Sequence, residues 1–127
     1  MAGGVIANSL NTDTGVFQNN NAYLGIAKAW LSYNASTPAL INSFNVSSVT
    51  RTATGKYYAT FATPMTNTNY TVAGAISSTS GGSASSTWIT DDVNNPRTVN
   101  NIYLWTLSGS GGAFDNNPNV NIVIFGN

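Results

Sequence analysis

Cysteine, histidine and glutamate are all missing from this 127-residue chain. Without histidine or cysteine, neither a Ser–His nor a Cys–His nucleophile can be assembled. The usual zinc and transition-metal ligand sets are excluded with them, and no disulfide can staple the fold. The acidic side chains are Asp13, Asp91, Asp92 and Asp115. Adjacent Asp91 and Asp92 point to opposite faces of an extended chain, a poor arrangement for paired acid–base work. Calcium needs only oxygen ligands, but nothing here matches an EF-hand or a repeat calcium loop. The expectation is a non-enzymatic protein without metal or cofactor.

Charge is scarce as well. Charged residues make up 6% of the chain, against about a quarter in an ordinary globular protein. Four basic residues balance four acidic ones, so the formal net charge is zero. Lys28, Arg51, Lys56 and Arg97 are scattered singly and form no basic patch. Such a surface releases few phosphate counterions and attracts anionic lipid weakly, which argues against nucleic-acid and membrane partners. No apolar run approaches the roughly 20 residues of a membrane span. The opening MAGGVIANSLN lacks the basic start and apolar core of a secretory signal. Near-zero net charge also leaves little to oppose self-association.

What is present is apolar content of 42%, enough for one core in one domain. Residues Met1–Asn21 are polar and rich in Gly and Asn, and read as an arm or connector. From Ala22 to Asn127 the chain reads as a single domain whose dominant signal is alternation, with β-branched and aromatic residues between Gly/Asn/Ser/Thr turns. In Ala22–Tyr33, one parity holds Tyr23, Ala27, Ala29, Leu31 and Tyr33, and the other holds Trp30. Leu40–Thr50 and Lys56–Thr63 flank Thr52–Gly55, a hairpin signal. Asn69–Ser77, Thr87–Thr90, Asn101–Leu107 and Val120–Phe125 complete the expected strands. Pro64 is a natural stop, because it donates no ladder hydrogen bond. Ser77–Ser86 and Ser108–Asn119 read as loops. The architecture expected is all-β, an antiparallel β-sandwich of jelly-roll-like kind with roughly 7–8 strands.

The blocks AKAW, SFNVSSVTRTATG, FATPM and NYTV, between Gly25 and Val72, resemble a domain of bacteriophage tail fibres and related virion proteins. In those relatives the same blocks occur in the same order near the end of a long fibre chain. The closing VNIVIFGN is similar to that family's last strand, and Ala73–Asn119 matches it loosely. The resemblance implies a structural protein exposed on the virion, in tail or capsid, working as a homotrimer beside other virion proteins. A tail-fibre tip would recognise a host-surface glycan or protein. The departure is that only about 21 residues precede the AKAW strand, far short of a shaft advancing ~3.3–3.6 Å per residue. That favours, as the alternative, a decoration protein cementing the capsid.

Candidate contacts follow from residue chemistry. Aromatic rings stack on the C–H faces of sugars, and they also serve in cores and at subunit contacts. Trp88 lies between the two most polar loops and is the better ligand candidate, with Asp91, Asp92 and Arg97 of the turn-rich DDVNNPR beside it. The same Asp and Asn residues also suit a plain turn. Trp30, in the AKAW block, is expected in core or interface. Asn101–Leu107 is apolar on both faces, which suggests a strand covered on both sides. Tyr103, Trp105 and Leu107 are accordingly candidates for a subunit contact, together with Trp30.

Overall fold

A computed structural model of the chain describes residues 25–76, 89–90, 94–107 and 119–126. The expected arm at 1–21, the loops at 77–86 and 108–118, and Trp88, Asp91 and Asp92 lie outside the described residues. Within them there are eight strands and no helix: β1 (Ala27–Asn34), β2 (Ala39–Phe44), β3 (Val46–Ala53), β4 (Lys56–Phe61), β5 (Thr71–Ile76), β6 (Ile89–Thr90), β7 (Asn101–Thr106) and β8 (Val120–Phe125). They form two four-stranded sheets, sheet A in the order β2-β1-β8-β5 and sheet B in the order β3-β4-β7-β6. Every pairing is antiparallel.

The alternation in the sequence decides which face of each strand is buried. Ala29, Leu31 and Tyr33 of β1 point inward with Val120, Ile122 and Ile124 of β8. From sheet B come Tyr57, Ala59 and Phe61 of β4 with Ile102 and Leu104 of β7. These side chains form one cluster, so the inner faces of the two sheets share a single core. Tyr33 of sheet A meets Tyr57 of sheet B edge-on, with ring centroids 5.2 Å apart. Losing any one of the larger members to alanine would cost about 2–5 kcal/mol.

One expected strand is two. Leu40–Thr50 reads as a continuous run, but the chain leaves sheet A at Phe44 and enters sheet B at Val46. The residue between them, Asn45, has φ 54°, the left-handed conformation that Asn tolerates better than most residues. Its side chain fixes the corner. Asn45 Nδ2 donates to the carbonyls of Lys28 and Thr63, each at 3.1 Å, and Oδ1 accepts from the Thr63 N–H at 2.7 Å. A corner made by one residue thus ties the start of β1 to the exit of β4.

The turns follow their chemistry. Asn34 Oδ1 accepts from the N–H groups of Ser36 (2.9 Å) and Thr37 (3.1 Å), closing the turn from β1 to β2. The β3–β4 hairpin turns through Thr54 and Gly55, and Gly55 takes φ 65°. The Gly55 carbonyl then accepts from the Thr106 N–H at 2.8 Å, which anchors the hairpin tip to the end of β7. Between β4 and β5 the chain passes Pro64 in an irregular segment held by Met65 N–H donating to the Val99 carbonyl at 2.8 Å.

Candidate functional site: the outer face of sheet B

Strand pairing assigns the outward side chains of sheet B in rungs. Lys56 lies opposite Trp105, Tyr58 opposite Tyr103, and Thr60 opposite Asn101. On the next strand, Thr50 pairs with Tyr58 and Ser48 with Thr60. Because Tyr57, Ala59, Ile102 and Leu104 alternate with these positions and are buried, the rungs face away from the core. The Tyr58 and Tyr103 rings meet edge-on with centroids 4.7 Å apart, and Lys56 Nζ sits 4.7 Å from the centre of the Trp105 ring. All four side chains are half-buried. Leu107, also half-buried, continues the alternation beyond Trp105.

The result is an aromatic strip bordered by hydroxyl and amide groups. Its rings offer flat apolar faces, and Ser48, Thr50, Thr60 and Asn101 offer neutral donors and acceptors. This combination suits a partner presenting C–H faces and hydroxyls together, as sugars do. The described residues contain no carboxylate side chain, since Asp13, Asp91, Asp92 and Asp115 all lie outside them. Among the described residues there is also no group of three His, Cys, Asp or Glu side chains that could hold a metal ion.

The candidate residues are distributed as follows. Tyr103, Trp105 and Leu107 share the outer side of sheet B, whereas Trp30 belongs to β1 and faces outward from sheet A, on the opposite side of the molecule. The four candidates for a subunit contact are therefore split between two surfaces. Trp88, Asp91 and Asp92 flank β6 in the chain, and β6 is the edge strand whose Thr90 pairs with Trp105. Arg97 is placed against Tyr70: its guanidinium donates to the Tyr70 carbonyl, and its carbon Cζ lies 5.1 Å from the centre of the Tyr70 ring. The Tyr70 hydroxyl in turn donates toward the carbonyls of Thr98 (3.0 Å) and Asn101 (3.2 Å), and its ring meets Phe61 edge-on at 5.7 Å. Arg97 thereby orders the segment that leads into β7.

Sequence reasoning missed Tyr58 and Lys56 as members of the strip. The signal was available in the alternation of KYYATF, where Tyr57 and Tyr58 must face opposite ways, but identifying β7 as its neighbour required the sheet order.

Among the described residues, one buried side-chain polar group has no hydrogen-bond partner. The Tyr33 hydroxyl, in the core, makes no hydrogen bond. Burial raises its pKa above the ordinary tyrosine value, Tyr57 adds to the rise, and the Arg51 charge opposes it. It lies inside the core, away from the strip.

Scans against protein-family models, curated proteins and solved structures return no match to this chain.

Proposed function

We propose that this chain is a non-enzymatic structural protein of a bacteriophage virion, exposed on its surface as a tail-fibre-tip type of domain that recognises the host surface. The observation that carries the reading is the outer face of sheet B, where Tyr58, Tyr103 and Trp105 stand among neutral hydroxyl and amide side chains. A glycan or a glycosylated protein of the host is the partner whose chemistry fits that face. The resemblance of the AKAW, SFNVSSVT and NYTV blocks to tail-fibre domains supports the virion assignment. Two of those blocks supply architectural residues: Asn45 makes the corner between the sheets, and Tyr70 anchors the approach to β7.

The two facing sheets are read as a β-sandwich. Among the described strands, the pairing of β1 with β8 resembles the closure of a jelly-roll, while the β1–β2 and β3–β4 neighbours are hairpins within one sheet and depart from it. A homotrimer is the assembly state implied by the resemblance, and zero net charge is compatible with it.

The test is binding of the purified, fluorescently labelled protein to candidate host cells in competition with whole phage. Saturable binding that blocks adsorption, and that falls at least tenfold in Tyr103→Ala, supports recognition through the outer face of sheet B. A folded oligomer that binds no host cell overturns the tail-tip reading, and decoration of the capsid shell becomes the assignment.

A further inference from the structure

The outer face of sheet A carries an open concavity of about 390 Å³, lined by Trp30, Ser32, Gly74, Ala75, Asn121 and Val123. Strand pairing explains its shape. Trp30 lies opposite Val123, which lies opposite Ala73, and the next rung runs Ser32, Asn121, Ala75. Side chains therefore shrink from an indole on β1 to methyl groups on β5, and the surface falls away from Trp30. Phe44, opposite Trp30 on β2, stands on the far side of the indole from this trough. The volume is at the lower end of ligand sites, which run from about 300 to 1,000 Å³.

Most of the lining is apolar, but one rung is not. Ser32 and Asn121 face each other across the β1–β8 pair, with Cβ atoms about 4.5–5.5 Å apart. Neither the Ser32 hydroxyl nor the Asn121 carboxamide is engaged by another described residue. We propose that this trough binds an N-acetylated amino sugar, at a site separate from the strip on sheet B. The C–H face of the pyranose lies on the Trp30 indole. The acetamido group has an N–H and a C=O that point opposite ways, so two side chains are needed to satisfy both. The Ser32–Asn121 rung supplies two, each able to donate and to accept. The acetyl methyl then meets Ala75 and Val123, which border Asn121 across and along the sheet.

The lining also decides against other sugars. None of its residues is charged, and Lys28 of β1 lies two positions before Trp30, outside the lining. A uronic acid or a free amino sugar brings a charge that no lining residue balances, and its desolvation goes uncompensated. A plain hexose covers the indole but leaves the methyl seat on Ala75 empty and turns hydroxyls toward an apolar wall. The acetamido sugar is the neutral unit that matches ring wall, polar rung and methyl seat together. The trough and the strip lie on opposite sides of the molecule, so either can fail without the other.

The test is a titration of the purified, isotope-labelled full chain, read by amide and indole NMR shifts. The probes are the methyl glycosides of N-acetylglucosamine, N-acetylgalactosamine and glucose. The expected result is saturable shifts at the Trp30 indole N–H and at Ser32, Ala75 and Asn121 with at least one acetylated sugar. Glucose should bind about tenfold more weakly, the scale of one polar pair left unmade. Ala75→Leu, which fills the trough from an exposed position, should abolish those shifts with far-UV circular dichroism unchanged. Asn121→Ala, also at an exposed position, should weaken binding about tenfold. No trough shift with either acetylated sugar overturns the site, as does glucose binding equally well. Shifts confined to Tyr58, Tyr103 and Trp105 overturn the site and leave the sheet B reading standing. Shifts in the trough alone uphold the site and count against the strip. Trough shifts that grow with protein concentration in the absence of sugar mean that another copy covers this face, and they overturn the proposal.

Discussion

Gly126 runs so close to Tyr70 that a Cβ built on it would lie 2.7 Å from the Tyr70 Cα and 2.8 Å from its Cβ. Gly126 also has φ +147°, a conformation that side chains resist. Neither neighbour is the end of a flexible side chain that could swing away, so backbone must move. Gly126→Ala should destabilise the fold by at least about 2 kcal/mol, the sum of strain and displacement of Tyr70. Urea unfolding measures it, and a loss below 0.5 kcal/mol (roughly the scatter of a surface substitution) would refute the close approach.

Asn45 carries a comparable weight at the corner between the sheets. Asn45→Ala removes three hydrogen bonds, to Lys28, Thr63 and back from Thr63, and leaves a β-carbon in a left-handed conformation with no local compensation. At about 1 kcal/mol per bond, the expected loss is about 3 kcal/mol. Chemical denaturation should show this as a lower midpoint with an unchanged slope, because the same surface is exposed on unfolding.

Much of the strand pattern is legible in the sequence. The parity of Leu31 against Trp30, of Tyr57, Ala59 and Phe61, and of Ile102 and Leu104 against Tyr103 and Trp105 separates the two faces of each strand, because alternation is a property of the strand itself, but which face is buried is settled only by the packing of the sheets. Which sheet a strand joins is not local. Trp30 and Trp105 therefore read alike in the sequence, yet they lie on opposite outer faces. The break at Asn45 was hidden because Leu40–Thr50 is strand-like on both sides of it, and one left-handed residue suffices to change sheets. Arg97 reads in the sequence as a ligand candidate beside Asp91 and Asp92, because its partner, Tyr70, lies 27 residues away in the chain. The strip on sheet B needed the β4–β7 pairing, which joins residues more than forty positions apart.

The placement of Arg97 separates a structural role from a ligand-contacting one. Arg97→Met keeps much of the stem but loses the donated bond to the Tyr70 carbonyl and the charge over its ring. Stability should fall by about 1–2 kcal/mol, while cell binding by the still-folded protein stays within twofold of the parent. A variant of full stability that no longer binds cells would instead assign Arg97 to the partner.

Tyr33 gives a prediction of opposite sign. Its hydroxyl is buried without a partner, so Tyr33→Phe removes an unsatisfied group at almost no change of shape, and the variant should be about 1 kcal/mol more stable at neutral pH. The pH dependence follows from the raised pKa, caused first by burial and then by Tyr57. The folded state holds this proton more tightly than the unfolded chain, whose tyrosine titrates near 10.0. Its contribution is therefore fully present below pH 10 and is lost as pH rises through the higher folded value. The parent should weaken relative to Tyr33→Phe above pH 10, and parallel stability curves across that range would show that Tyr33 does not titrate with unfolding.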